Sequence, residues 1–271
     1  MNPTFSFLGA GNMAEAIIVG IKSSMPEAEI TVFVRNETKQ KRFEAHGCRC
    51  TYNLADALSA ARYIFLSVKP QNFAELLDDM AACAPSDDHV YVTIAAGITT
   101  SRVADSLGAH IACIRTMPNT PLLLGEGVTA ICRNEHVGDA DFSFITSLFG
   151  KLGETLILPE EKMDAVISVS GSSPAYIYLV IKSMVNAAIA SGFEREDAMR
   201  AVCATIKGAC DMAITTGKTP EELISAVTSK GGTTERAMNV LYDADLEGIL
   251  TRAMKACDDR AAEMTRLFSE E

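Results

Sequence analysis

Tryptophan is absent and aromatic residues make up only 6% of the 271-residue chain, so Ala, Leu, Ile, Val and Met have to fill its core. Histidine is scarce as well, with 4 in all, and none stands in a motif. No run of about 18 uncharged apolar residues suits a membrane span; the most apolar stretch, 175–192, is broken by Lys182. No basic region, apolar signal core or cleavage site precedes the first strand. The eight cysteines are scattered. Cys48 and Cys50 form the one close pair, without a Cys-x-x-Cys or a histidine cluster beside them. This pattern predicts reduced thiols in a cytoplasmic protein and no metal site. Positive charge is in deficit: the formal net charge is −11. That argues against nucleic acid or an anionic membrane as a partner. It also sets a problem, because any anionic ligand must be held by local donors against an unfavourable field.

What is present is organised around the start. The apolar run Thr4 to Leu8 leads into Gly9-Ala10-Gly11-Asn12-Met13-Ala14 and then into a helical pattern from Glu15 to Ile21. This reads as strand, tight turn, helix. Gly9 permits the turn, Gly11 lets a pyrophosphate approach the backbone, and Ala14 lets the helix pack on the strand. The helix start then presents N–H groups and a positive dipole end to the anion. A second strand, Glu29 to Val34, ends at Arg35-Asn36. Where an NAD-binding fold would place an acidic residue for the ribose hydroxyls, this chain has Arg35, a partner for a 2′-phosphate. NADP(H) is therefore favoured over NAD(H).

Helices are expected over Glu37 to His46, from the N-cap Asn53 onward, and near Ala140 to Lys151. Strands are expected at Tyr63 to Val68, Val90 to Ile94, Ile111 to Arg115, Gly127 to Cys132 and Glu154 to Leu158. Thr116 to Pro121 reads as a rigid loop, and Ala95-Ala96-Gly97 as small residues beside which a cofactor can lie. The alternation predicts an α/β fold: an N-terminal Rossmann-type, mostly parallel sheet with helices on both faces. After Pro159 the strand signal stops. Met163 to Gly192, Arg195 to Thr216, Glu221 to Val227, Thr234 to Asp243 and Glu247 to Phe268 suit helices. The expected domains are thus a dinucleotide-binding domain over 1–160 and an all-α domain over 161–271. The second is Ala-rich and expected to bury an apolar face against another copy.

Four further motifs stand in order along the chain: Val68-Lys69-Pro70, Arg115-Thr116-Met117-Pro118-Asn119-Thr120-Pro121, Gly171-Ser172-Ser173-Pro174-Ala175-Tyr176 and Ala226 to Glu235. With the glycine turn they resemble the pyrroline-5-carboxylate reductase family over essentially the whole chain. The resemblance implies reduction of the ring C=N of 1-pyrroline-5-carboxylate to L-proline by NAD(P)H, the last step of proline biosynthesis. It implies a helical domain that interlocks two subunits, with larger rings of dimers above that. It assigns cofactor contacts to Gly9, Ala10, Gly11, Asn12, Met13, Arg35, Asn36, Asn53, Ser67, Val68, Lys69, Pro70, Ala95 and Ala96. It assigns the substrate to Ser229, Lys230, Gly231, Gly232, Thr233 and Thr234, a loop that meets the nicotinamide at the dimer interface. Many members have Pro where this chain has Lys230.

No histidine or carboxylate stands out as a general acid. The Thr234 hydroxyl, or that of Ser173, is the candidate to orient the ring nitrogen, with Thr234 the catalytic choice; a plain helix-capping role competes for both. A β-hydroxyacid dehydrogenase is the rival enzyme, since Lys182 and Asn186 share one helix face. A non-catalytic NADPH-sensing protein is the rival outside catalysis.

Overall fold

The computed structural model describes residues 3–83, 86, 88–108 and 110–270. It divides into two compact units, one running through Ser172 and resuming at Cys257, the other spanning Ser173–Ala256.

The first unit alternates strand and helix: β1 Thr4–Leu8, α1 Asn12–Ser24, β2 Glu29–Phe33, α2 Glu37–Glu44, β3 Arg49–Thr51, α3 Leu54–Ser59, β4 Tyr63–Leu66, α4 Phe73–Ala82, β5 Val90–Thr93, α5 Thr100–Leu107, β6 Ala112–Pro118, β7 Gly127–Arg133, α6 Asp139–Gly150 and β8 Gly153–Ile157. Among the described residues these strands form one sheet in the order β3-β2-β1-β4-β5-β6-β7-β8. β1 to β6 are mutually parallel. β7 runs antiparallel to β6, and β8 parallel to β7. The order reverses at β1, which pairs with β2 on one side and β4 on the other. Open sheets of this kind bind ligands at that crevice.

The strands are buried on both faces and therefore carry apolar residues throughout. Phe5, Phe7 and Phe65 point to the face packed by Ile17 and Ile21 of α1 and by Phe149 of α6. Phe7 and Phe65 stack with centroids 4.5 Å apart. Leu8, Ile64, Leu66 and Tyr91 point to the other face, against Leu76 and Leu77 of α4 and Val103 of α5. Each such side chain contributes about 1.5–3 kcal/mol of burial. Helices thus cover both faces, as the alternation predicts.

Two local expectations need correction. Thr116, Met117 and Pro118 are not loop but the end of β6, in register with Ile131, Ala130 and Thr129 of β7. Pro118 is tolerated because the pairing of β6 with β5 ends at Arg115, so Pro118 has a ladder neighbour on the β7 side alone and stands as if on an edge. A one-turn 3₁₀ segment, Thr120–Leu124, then reverses the chain. So short a link cannot make a parallel crossover, which is why β7 is antiparallel.

The long helix expected from Met163 to Gly192 is interrupted. A 3₁₀ turn occupies Glu160–Lys162 and a π-turn Ile167–Gly171 before helix resumes. Pro174 has no N–H for the carbonyl of Ser170, four residues back. That carbonyl accepts instead from Asn119 Nδ2 at 3.0 Å. The same stretch is tied to the sheet by charge. Arg115, buried in β6, donates to Asp164 Oδ1 at 2.5 Å and lies 3.6 Å from Glu160 Oε1. Glu160 in turn accepts from the Thr100 N–H at 2.8 Å and the Thr100 hydroxyl at 2.6 Å. These bonds carry the first compact unit past residue 160 to Ser172.

The second unit is helical: α7 Ser173–Ala190, α8 Arg195–Thr215, α9 Pro220–Val227, α10 Thr233–Asp243 and the first part of α11 Leu246–Glu270. Its private core is small, built on Val185, Ala198 and Val202. Ile177, Tyr178, Leu179 and Val180 of α7 are exposed. By length and composition Ile167–Ala190 is apolar enough to cross a membrane.

Candidate functional site

The first candidate is the crevice at the carboxyl ends of β1, β2 and β4. Gly9 adopts φ 120°, and a Cβ there would lie 2.7 Å from the carbonyl carbon and oxygen of Ser67 and from the Val68 nitrogen. The turn closes on itself through the Ser67 hydroxyl, which donates to the Gly9 carbonyl at 2.8 Å. Gly11, by contrast, meets nothing nearer than 3.8 Å, so space remains in front of its Cα. Gly11 is also the N-cap of α1 and makes no side-chain cap. The first N–H groups of the helix, at Asn12 and Met13, have no intrahelical acceptor and are available to an anion. A pyrophosphate fits this cradle: the room and the donors coincide.

The first turn of α1 is braced from α2. Arg42 pairs with both carboxylate oxygens of Glu15, and its Nη2 reaches Asn12 Oδ1 at 3.2 Å. His46 Nε2 lies 3.0 Å from Glu15 Oε1. The bond from Arg42 holds the Glu15 carboxyl below the usual range.

A groove joins the cradle to the ends of β2 and β4. Gly9, Ala10 and Gly11 line one side of it; Arg35 and Asn36 line the second, and Ser67, Val68 and Lys69 the third. Eight of the expected cofactor residues therefore converge. Lys39 and Asn72 line the groove too, and sequence reasoning passed over both. Asn36 caps α2, accepting from the Lys39 N–H at 2.9 Å. Pro70 opens a 3₁₀ turn directly after Lys69. Asn53 is not among the groove residues; its carboxamide oxygen caps α3, accepting from the Ala55 and Asp56 N–H groups. Ala95 and Ala96 follow β5 at the same sheet edge, Ala95 buried. The adjacent Gly97 owes its small size to packing: at φ 80° a Cβ would sit 3.0 Å from the ring of Phe268 and 3.2 Å from Met264 of α11.

The second candidate is the loop before α10, in the helical unit. Gly231 takes φ 73°, and Gly232 caps the helix with no side-chain cap bond. The Gly232 N–H donates to the Ser229 carbonyl at 2.9 Å, and the Gly231 N–H to Glu235 Oε2 at 2.8 Å. Two of the loop's donors are thus satisfied internally. The next N–H groups, at Thr233 and Thr234, fall in the first helical turn and lack intrahelical acceptors. Thr234 is the second residue of the helix and does not cap it. Ser229, Lys230 and Thr233 are exposed. Ser173 begins α7, and Lys182 and Asn186 lie further along it, both exposed.

A family profile described as pyrroline-5-carboxylate reductase dimerisation matches residues 160–264. A second, described as NADP oxidoreductase, coenzyme F420-dependent, matches residues 4–97. The pyrroline-5-carboxylate reductase of Vibrio alginolyticus is 36% identical over 267 residues, which cover 97% of this chain and 98% of that protein. That of Corynebacterium melassecola is 32% identical over 265 residues, covering 96% and 98%. The solved structure of a pyrroline-5-carboxylate reductase from Coxiella burnetii matches with a TM-score of 0.87 at 29% identity, covering 98% of this chain and 99% of that one. The Plasmodium falciparum pyrroline carboxylate reductase with NADP bound shares the fold, with a TM-score of 0.88 at 23% identity, covering 97% and 98%. With identity above 30% along nearly its full length, and with the motifs of both candidate sites in place, the chain belongs to the pyrroline-5-carboxylate reductase family.

Proposed function

We propose that this chain reduces 1-pyrroline-5-carboxylate to L-proline with a hydride from NADPH, NADH serving as the second donor of the same class. The observation that carries this reading is the family membership along the whole length of both units. When bound, the cofactor supplies the hydride; the protein supplies position. The cradle of Gly9, Ala10, Gly11, Asn12 and Met13 takes the pyrophosphate on backbone N–H groups. Arg35 and Asn36 face the 2′-phosphate, and Ser67, Val68, Lys69 and Pro70 with Ala95 and Ala96 wall the crevice. Asn53, already committed to capping α3, has its amide nitrogen left for the cofactor.

Ser229 through Thr234 form the substrate loop. The N–H groups at the start of α10 hold the substrate carboxylate, aided by the positive end of the helix dipole. This meets the difficulty posed by a net charge of −11, because the donors act locally. The Thr234 hydroxyl orients the ring nitrogen, and the substrate enters as the protonated imine, which accepts hydride far more readily than the neutral form. Ser173 is the second hydroxyl proposed near the substrate.

Two copies pair through the helical half, and a ring of such dimers is the higher assembly implied by the family resemblance. The dimerisation profile spans residues 160–264 and so takes in the whole of the helical unit, Ser173–Ala256. All eight cysteines are free thiols, which suits a reducing, cytoplasmic compartment.

The test is loss of NADPH absorbance with 1-pyrroline-5-carboxylate, run against other cyclic imines and a 3-hydroxyacid with NADP⁺. Turnover confined to the pyrroline carboxylate is expected. Oxidation of the 3-hydroxyacid instead would return the assignment to Lys182 and Asn186. Cofactor binding with no turnover of any imine would favour a sensor.

A further inference from the structure

The cations of the cofactor groove are unequally engaged. Arg35 Nη2 lies 3.3 Å from Glu75 Oε1, a residue of α4, so the guanidinium assigned to the 2′-phosphate already has a carboxylate beside it. The pair is open to solvent, with side-chain exposures of 51% and 62%, and a ligand can reach either partner. Lys39 lines the same groove, and its backbone N–H is taken by the Asn36 cap. Among the described residues its ammonium group makes no ion pair.

These two neighbours act on a 2′-phosphate with opposite sign. An ammonium with no counter-ion gains a charge-assisted bond when a phosphate arrives. A carboxylate on the guanidinium must surrender its partner, and it repels the incoming dianion. NADH carries a 2′-hydroxyl at that position, which a carboxylate can accept from and which needs neither cation.

We propose that cofactor choice in this enzyme is set around Arg35 by an opposed pair: Lys39 adds the second cation for the 2′-phosphate, and Glu75 acts as a counter-ion that draws the site back towards NADH. The pair explains how a groove holding Arg35 serves both donors. It rests on the reading of this crevice as the NAD(P)H site.

The experiment compares the full-length wild-type protein with Glu75→Gln and Lys39→Gln by calorimetry, using 2′,5′-ADP and 5′-AMP as probes, which differ only in the 2′-phosphate. Glu75→Gln should tighten 2′,5′-ADP about three- to tenfold relative to 5′-AMP, and Lys39→Gln should weaken it by about tenfold relative to 5′-AMP. In steady-state assays the ratio of NADPH to NADH kcat/KM should move in the same directions. Equal shifts for both probes, or no change in their ratio, would overturn the inference while leaving the reductase assignment intact. The predicted probe shifts in a protein that does not reduce 1-pyrroline-5-carboxylate would support the inference and remove the substrate assignment instead.

Discussion

Ser67 Oγ donates to the carbonyl of Gly9 at 2.8 Å, locking the end of β4 against the turn that follows β1. The two glycines of that turn are consequently not equivalent. At Gly9 a methyl would press on the Ser67–Val68 backbone at a φ of 120°, and backbone cannot yield as a flexible side chain can. Gly9→Ala should therefore cost about 1–3 kcal/mol of stability in strain alone and abolish cofactor binding as the cradle deforms. Gly11→Ala has room, its nearest neighbour being 3.8 Å away. It should keep the melting temperature of the wild type yet lose NADPH affinity, because the methyl occupies the space needed by the pyrophosphate. Thermal melts and NADPH titrations of both variants check this; a Gly11→Ala protein that binds normally would remove the pyrophosphate from this turn.

What could be seen in advance was local, and what was missed is long-range. The glycine turn, Arg35 after β2 and the Gly231-Gly232 loop announce themselves because the residues doing the work are neighbours in sequence. Glu75 reaches Arg35 across 40 residues and Asn119 reaches Ser170 across 51, and neither pairing leaves a periodic trace. The reversal of β7 depended on the length of one 3₁₀ turn, and the break before α7 on a carbonyl that Pro174 cannot satisfy. The three-residue β3 is too short to show alternation. Gly97 reads in the sequence as a small residue beside a cofactor; that a Cβ there would also meet Phe268 and Met264, far along the chain, is a constraint only the fold reveals.

Acid should weaken the first unit through Asp141. Its carboxylate accepts from Arg62 Nε at 3.2 Å, from Arg62 Nη2 at 2.8 Å and from the Tyr63 hydroxyl at 2.8 Å, joining α6 to β4. The bonds from Arg62, then the one from Tyr63, hold its carboxyl below the ordinary 3.8. A carboxyl whose folded pKa is lowered stabilises the fold above its unfolded pKa and loses that contribution as pH falls through the folded value. Asp141→Asn should thus cost about 1–2 kcal/mol at neutral pH, held to that range because Arg62 is half exposed. The two urea-unfolding curves should converge as the pH drops below 3.8. A constant gap down to the acid limit would mean the carboxylate is not the stabilising form.

The helical unit should require a second copy. Ile177, Tyr178 and Leu179 are 46%, 59% and 61% exposed on α7, while the private core of the unit is limited to a few small side chains. Obligate interfaces resemble a domain core cut in half. The full chain should sediment as a dimer or a multiple of one. Leu179→Glu should shift it towards monomer, since an unpaired carboxylate buried in an apolar interface costs several kcal/mol, about 2 or more. The same variant should still bind NADPH through the first unit. A monomeric wild type, or a Leu179→Glu protein of unchanged mass, would refute the arrangement.

The last expectation concerns Thr234. Were it a helix cap, its value would lie in stability. The cap of α10 is Gly232, however, with no side-chain cap bond, and Thr234 sits two residues further in. Its hydroxyl is therefore surplus to the helix and available to a ligand. A hydrogen bond to a charged ring nitrogen contributes about 1.5–3 kcal/mol, so Thr234→Ala should lower kcat/KM about ten- to a hundredfold. Its melting temperature should change little, because no cap is lost. Thr234→Ser keeps the hydroxyl and should keep most of the activity. NADPH affinity should be the same in all three proteins, since the glycine cradle and Arg35 are untouched. Near-normal kcat/KM in Thr234→Ala would take the residue out of catalysis; a fall in melting temperature alongside it would mean that the hydroxyl serves the loop and not the substrate.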